Sequence, residues 1–210
     1  SSTFLSVTPP TVRSECFAGS CKFPIFGGTN RHDSMKNEPA PRRTLRVTRR
    51  QYNARRCFVC GLDNPFGLRA RFYETGSGEL VALCTPDERH QSYPHHLHGG
   101  IASALLDETI GRAISVGSAE TVWGVTMELT LKYRRPVPYG EEIKVVGRID
   151  RDRGRLFEGS GEIVLPDGTV AVTARGLFMK QRADQIAGDA FVEDEWGFTP
   201  DEPLPETIEL

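Results

Sequence analysis

Six stretches of this chain read as strands, two of them by clear alternation of apolar and polar positions, and one further stretch repeats at helical spacing. Leu68 to Glu74 alternates, so it predicts a half-buried strand, and Gly76-Ser77-Gly78 turns it into a second strand over Leu80–Thr85. Pro86–Leu97 is a loop rich in His and Pro. His98–Gly111, HGGIASALLDETIG, opens on a polar residue and two glycines and then becomes helical in type. Ile101, Ala104, Leu105 and Ile110 are expected to share its apolar face, and Gly117-Ser118 marks the exit. Val125, Met127, Leu129, Leu131 and Tyr133 then alternate with Thr126, Glu128, Thr130, Lys132 and Arg134, which predicts a long strand with one apolar face. Glu142–Asp150 is the next strand, ended by Arg151–Gly154. Leu156–Leu165 and Thr169–Lys180 flank Pro166-Asp167-Gly168, a hairpin turn signal. The order β-β-α-β-β-β-β, one long helix with an antiparallel sheet, is an α+β architecture.

The ends lack this periodicity. Residues 1–56 are punctuated by Pro9-Pro10, Gly27-Gly28 and Pro39-Ala40-Pro41 and predict a disordered or extended tail. Met35 begins a natural-looking start. Residues 1–34 read as an over-long reading of the gene, as added sequence or as a processed targeting peptide, and these stay open. Residues 42–56 hold seven arginines and no acid. They read as a solvated basic arm, or as a contact for an anion: the phosphates of a ligand or the acidic C-terminal stretch. Residues 183–210 hold nine acids and no base, which predicts an acidic tail. Phe191, Trp196 and Phe198 hint that part of it packs on the domain. The expected organisation is therefore a tail over 1–56, a domain over 57–182 and a second tail over 183–210.

Composition narrows the function classes. The formal net charge of −2 over 210 residues gives no argument for a nucleic-acid partner, and Tyr52 alone interleaves the arginines. No apolar run reaches the length of a membrane span, and Ser1–Pro10 lacks the form of a secretory signal. Five cysteines make no disulfide framework, so a reducing, cytoplasmic setting is expected. Cys57-Phe-Val-Cys60-Gly61 is half of a zinc knuckle with no second half. Only Cys84, His90, His95 or His96 could complete it, and the expectation is a reduced turn with no metal.

The chemistry concentrates in His98–Gly111. Without a Cβ, Gly99 and Gly100 admit a ligand close to the backbone, and the first N–H groups of a helix have no internal partner. They are candidate donors to an oxyanion. Asp107 stands among Leu105, Leu106 and Ile110, where a carboxylate costs stability unless it is paired or used. Glu108 points about 100° away and is the fallback acid.

HGG followed by an acid nine positions after the histidine resembles the central helix of hotdog-fold acyl-CoA thioesterases of the phenylacetate-degradation type. His90-Gln91-Ser92-Tyr93-Pro94 resembles the lead-in to HGG, with Ser92 where glycine is frequent. Thr126–Pro136 resembles the strand that ends in Tyr-basic-x-Pro. Cys57-x-x-Cys60-Gly61 with Asn64-Pro65-Phe66-Gly67-Leu68 is similar to the opening of some bacterial members. The resemblance runs over about residues 57–181. It implies a hotdog fold, a long central helix wrapped by a six-stranded antiparallel sheet, and hydrolysis of an acyl-CoA thioester without a cofactor. It implies Asp107 as base or nucleophile, Gln91 as a further donor to the carbonyl and Thr126 as a hydroxyl that holds the water.

His98 belongs to the same candidate set, with a structural role at the helix start as the alternative. His90, His95 and His96 are expected to line or flank the mouth. Arg134 and Arg135, beside Pro136, suit phosphate through their forked donors, or else form surface ion pairs. Gly99 and Asp107 are eight residues apart, roughly 12 Å along one helix, so a single helix cannot present both to one carbonyl. Two antiparallel helices about a two-fold axis can, so a homodimer or homotetramer with shared sites is expected. A hotdog dehydratase or hydratase and a non-catalytic acyl-CoA sensor are the alternatives.

Overall fold

The computed structural model describes residues 42–119, 122–182, 185–186, 188, 195–197 and 203–210. Its strands, numbered in chain order, are β1 (Thr44–Arg50), β2 (Asn53–Ala54), β3 (Arg71–Thr75), β4 (Leu80–Cys84), β5 (Trp123–Tyr133), β6 (Ile143–Arg153), β7 (Leu156–Val164), β8 (Val170–Gln181), β9 (Trp196–Gly197) and β10 (Thr207–Glu209), with the helix α1 (Gly99–Arg112) between β4 and β5. The six expected strands are β3 to β8. They lie in an antiparallel sheet of order β10-β1-β3-β4-β6-β7-β8-β5, and the helix packs on its inner face. β3 starts three residues later than expected. Leu68 and Ala70 bond back to the Phe58 and Val59 carbonyls at 2.9 Å each, which roofs the 57–60 turn instead of extending the ladder. No helix among the described residues is long and apolar enough to cross a membrane.

The buried face of α1 is Ala102, Leu105, Leu106, Thr109 and Ile110, continued by Ala113 in the following turn. This corrects the expected stripe, since Ile101 and Ala104 are only half-buried at its border. The shift follows from how closely the helix sits on the sheet. A Cβ on Gly147 would come within 2.7 Å of the Thr109 carbonyl, and one on Gly159 within 2.6 Å of Ile110 Cγ2. Glycine at these two strand positions lets the C-terminal half of α1 seat directly on β6 and β7.

The long strand β5 breaks its own alternation. Thr126 pairs with Phe178 and Glu128 with the adjacent Leu177, so Met127 is the extra residue of a bulge. Below the bulge, Leu129 and Leu131 pack on the core and the Tyr133 hydroxyl reaches α1. Above it, Gly124 faces Gly111 and Thr126 faces Asp107. A residue on the polar side of the sequence pattern is thereby turned onto the helix side. Met127 and Tyr133, expected on a buried face, are 58% and 55% exposed.

The sheet also begins before the expected boundary at residue 57. The arginine-rich stretch alternates, and its apolar residues decide its place: Leu45 and Val47 are buried while Thr44, Arg46 and Thr48 are exposed. β1 pairs with β3 on one side and with β10, from the expected acidic tail, on the other. Arg43 and Leu210 exchange backbone hydrogen bonds at 3.3 and 2.8 Å. The acidic stretch does meet the basic arm, through main chain and through Leu45 opposite Ile208. β9 pairs with β2, and Trp196 lies 4.7 Å from Trp123, ring to ring. Phe191, Phe198 and residues 1–34 lie outside the described residues.

A truncation to 52–182, which the periodic segments alone would favour, is expected to fail. It removes Leu45, Val47 and Ile208 from the cluster around Tyr73, Val81, Val146 and Val164. At about 1.5–3 kcal/mol for each buried aliphatic side chain, that loss approaches the whole stability of a typical domain. It also removes Arg49 and Gln51, which hold the buried Glu74 carboxylate at 2.6 and 3.0 Å. A chain over 42–210 should stay soluble with a cooperative urea transition, and 52–182 should aggregate or lose the transition. A cooperative, soluble 52–182 chain would show that this edge is dispensable.

Candidate active site

The start of α1 is built by the loop before it. His98 is the N-cap, and its Nδ1 accepts the Gly100 N–H at 2.9 Å. The ring is therefore engaged in closing the helix end, the structural alternative for this residue. It also occupies one of the two expected oxyanion donors, leaving Gly99 N–H, the first of the helix, as the better placed one. The Gly99 carbonyl accepts the Tyr133 hydroxyl at 2.8 Å, which ties the helix start to the end of β5.

The preceding loop is held by His90, which is 3% exposed rather than at a mouth. Its Nδ1 accepts the Asp87 N–H at 3.0 Å, and Nε2 lies 3.1 Å from the Phe66 carbonyl. The capping box that it forms with Asp87 fixes the turn Glu88–His90 and so the direction of Gln91. The Gln91 side chain is exposed, and Tyr139 donates to its Oε1 at 3.4 Å. His95 stacks on Tyr139 at 6.0 Å, and His96 bridges to Pro138. Gln91, His95 and Tyr139 thus gather at the helix start.

Asp107 lies two turns further along and is half-buried. Its Oδ1 accepts the Thr126 hydroxyl at 2.6 Å. Burial pushes its carboxyl above the usual range, the Thr126 hydrogen bond opposes that in part, and the neighbouring Glu108 adds to it. A carboxylate with raised proton affinity and a hydroxyl fixed beside it can take a proton from water and orient that water. Glu108 is engaged elsewhere. Arg112 Nε donates to it at 2.9 Å and the Cys57 thiol is 3.2 Å away. The fallback acid is thus part of a different cluster.

Arg134, Arg135 and Pro136 follow Tyr133 directly. Arg134 is exposed, and both arginine N–H groups donate to the Ala171 carbonyl, at 2.8 and 3.1 Å. Arg135 lies by Asp167, whose carboxyl is held low first by the Thr169 N–H and in smaller part by Arg135. Sequence reasoning gave no site role to Tyr139 or Arg112, and it placed Tyr133 only as a strand residue of the Tyr-basic-x-Pro motif. Arg112 had a signal, its i+4 spacing from Glu108 in the last helical turn. Tyr139 had none, because loop contacts carry no period. The structure brings Asp107 to Thr126 and Gln91 to the helix start. It does not bring these two groups together within one chain.

The sequence profile of the thioesterase superfamily matches residues 95–172, a span that includes Gly99, Gly100, Asp107 and Thr126. The chain is 29% identical over 111 residues to acyl-coenzyme A thioesterase THEM4 of Xenopus laevis, covering 52% of this chain and 48% of that protein. It is 29% identical over 113 residues to the same enzyme of Mus musculus, covering 53% and 47%. It thus spans about half the length of the curated relatives it matches. A crystal structure of a thioesterase superfamily protein, 30% identical, superposes with a TM-score of 0.55 over 60% of each chain. A thioesterase of Haemophilus influenzae, 17% identical, shares the fold with a TM-score of 0.52 over 61% of this chain and 94% of its own. With one long helix seated on an antiparallel sheet, this chain has the hotdog fold, and its residues 95–172 match the thioesterase superfamily.

Proposed function

We propose that this protein hydrolyses an acyl-CoA thioester to the free acid and CoA, with each site shared between two copies of the chain. The observation that carries the reading is Asp107: half-buried, raised in proton affinity, and held by the Thr126 hydroxyl at 2.6 Å. The likeness of the central segment to enzymes named acyl-coenzyme A thioesterase supports the substrate class.

The thioester carbonyl takes the Gly99 N–H of one copy and competes with the His98 ring for the Gly100 N–H. The Gln91 amide adds a donor from the same side. Asp107 of the second copy removes a proton from a water that Thr126 orients. The water oxygen bonds to the carbonyl carbon, and the developing oxyanion is stabilised at the helix start. As the tetrahedral intermediate collapses, the carbon–sulfur bond breaks and the thiolate takes the proton from Asp107. Arg134, exposed just beyond Tyr133, is the arginine assigned to the phosphates of CoA. Arg135, drawn to Asp167, is assigned to the surface. A dehydratase needs its histidine for proton transfer on the acyl chain, whereas the His98 ring caps the helix.

The test is a panel of acyl-CoAs of varied chain length and with aromatic acyl groups, read by release of free thiol above that of the protein's own cysteines. At least one member should be turned over. Saturable binding of acyl-CoA without any thiol release would replace this reading by a sensor. Hydration of an enoyl-CoA would replace it by a hydratase.

A further inference from the structure

Cys57, Cys60, Glu108 and Arg112 take no part in that hydrolysis, yet they form a tightly connected polar cluster beside the helix. The turn 57–60 is closed by the Gly61 N–H on the Cys57 carbonyl at 2.8 Å. It aims backbone donors at sulfur. The Val59 and Cys60 N–H groups reach Cys57 Sγ at 3.3 and 3.5 Å. Cys60 is fully buried, and its Sγ takes the Ala54 N–H at 3.4 Å and Arg112 Nη2 at 3.2 Å. Cys57 is half-buried, and its thiol lies 3.2 Å from Glu108 Oε2. The two sulfurs and the Glu108 carboxylate lie within 4.8 Å of one another.

Three such donors suit either a cation or a reactive dithiol, and Arg112 decides between them. Its guanidinium bonds both Cys60 and Glu108, donates to the Tyr52 carbonyl at 2.9 Å and lies against the Phe72 and Trp123 rings at 4.5 and 4.7 Å. A fixed positive charge against two of three donors repels a divalent cation. The same charge favours a sulfur anion on Cys60, against the hydrogen bond to Cys57 and the burial that together hold that thiol above the usual range.

We propose that Cys57 and Cys60 are a thiol–disulfide exchange site that reacts with low-molecular-weight disulfides. Cys57, the less buried of the two, attacks; Cys60, fully buried, resolves. Glu108 takes the proton of the Cys57 thiol. The thiolate attacks one sulfur of the disulfide RSSR, a Cys57–SR bond forms, the RS–SR bond breaks and RS⁻ leaves to be protonated. The Cys60 thiol then gives its proton to the Glu108 carboxylate, which has passed the first proton to the departed RS⁻; with Arg112 beside the anion, Cys60 Sγ attacks Cys57 Sγ and the Cys57–SR bond breaks. The second RS⁻ leaves and is protonated in turn. Two protein thiols are oxidised by two electrons and one disulfide is reduced to two thiols. A hydrogen bond from Cys60 holds the Cys57 thiol below the usual thiol range. The third described cysteine, Cys84, is pushed by burial up to about 12 and serves as the internal control.

The test uses the full reduced chain exposed to oxidised glutathione, quenched with acid, alkylated and digested with trypsin. Cleavage after Arg56 and Arg69 isolates both cysteines on one peptide, with Cys84 on another. The 57–69 peptide should become two hydrogens lighter and resist alkylation, at least about tenfold faster than Cys84 is modified. In Cys60→Ser, glutathione should remain bonded to Cys57. In Cys57→Ser, Cys60 should react no faster than Cys84. Three results overturn the proposal: a 57–69 peptide no more reactive than Cys84, glutathione trapped on Cys60 rather than on Cys57, or about one zinc per chain in the reduced protein. The unmodified chain alone decides the first and third, so a variant that fails to fold does not shelter the proposal. The readout is sulfur chemistry and does not depend on thioester hydrolysis.

Discussion

Asp107→Asn should lower kcat by roughly 10²-fold or more and leave the fold intact. The amide keeps the shape and can still accept the Thr126 hydroxyl, but it cannot take a proton. The sign of the stability effect follows from the raised carboxyl. A carboxyl that binds its proton more tightly folded than unfolded favours the folded state at low pH, and that favour is lost as pH rises through the raised value. At neutral pH the ionised Asp107 is thus a cost, so the asparagine variant should melt no lower than the parent. The same shift places the acid limb of kcat/KM above the ordinary aspartate value of about 4. Glu108→Gln should do the reverse. It weakens the hold on the buried Arg112 and should lower Tm while kcat stays within a few-fold. A crippled Glu108→Gln enzyme beside an active Asp107→Asn enzyme would move the base by one residue.

Much of this site was legible because chemistry and period coincide in α1. The paired glycines, the acid among leucines and the histidine before them stand out in a helical repeat, although the buried stripe falls on Ala102, Leu105, Leu106, Thr109 and Ile110 and leaves Ile101 and Ala104 at its border. Thr126 was legible only through resemblance. By alternation it belongs with Glu128 on the polar side, and the bulge at Met127 turns it towards Asp107. A bulge adds one residue without changing composition, so no count of apolar positions reveals it. The edge strands were hidden for a different reason. β1 carries only Leu45 and Val47 as buried apolar residues among arginines, and its partner β10 lies more than 150 residues away in an acidic stretch. Local pattern marks a strand by its own burial, whereas this strand is defined by a partner that is remote in sequence.

Subunit mixing tests the shared site most directly. Within one chain Gly99 and Asp107 are separated by eight residues of α1, about 12 Å. One lesion therefore goes at each end of that helix. Asp107→Asn removes the base. Gly99→Pro removes the first N–H donor with little cost to the fold. Proline is favoured at the first helical position, His98 before it is already extended at φ −63° and ψ 132°, and a Cβ at Gly99 meets nothing nearer than Tyr133 at 3.6 Å. Loss of one oxyanion donor should cost about 10²–10³-fold in kcat. Each variant alone should be close to inactive. If copies exchange and pair about a two-fold axis, a mixed dimer has one site with both lesions and one with neither. Up to half of the parent activity per mixed dimer should then return. Native mass should first establish that mixed dimers have formed. Mixed dimers without recovered activity would overturn the shared site, because sites built within one chain would each keep one lesion, and a fully active Gly99→Pro chain would remove that N–H from the mechanism.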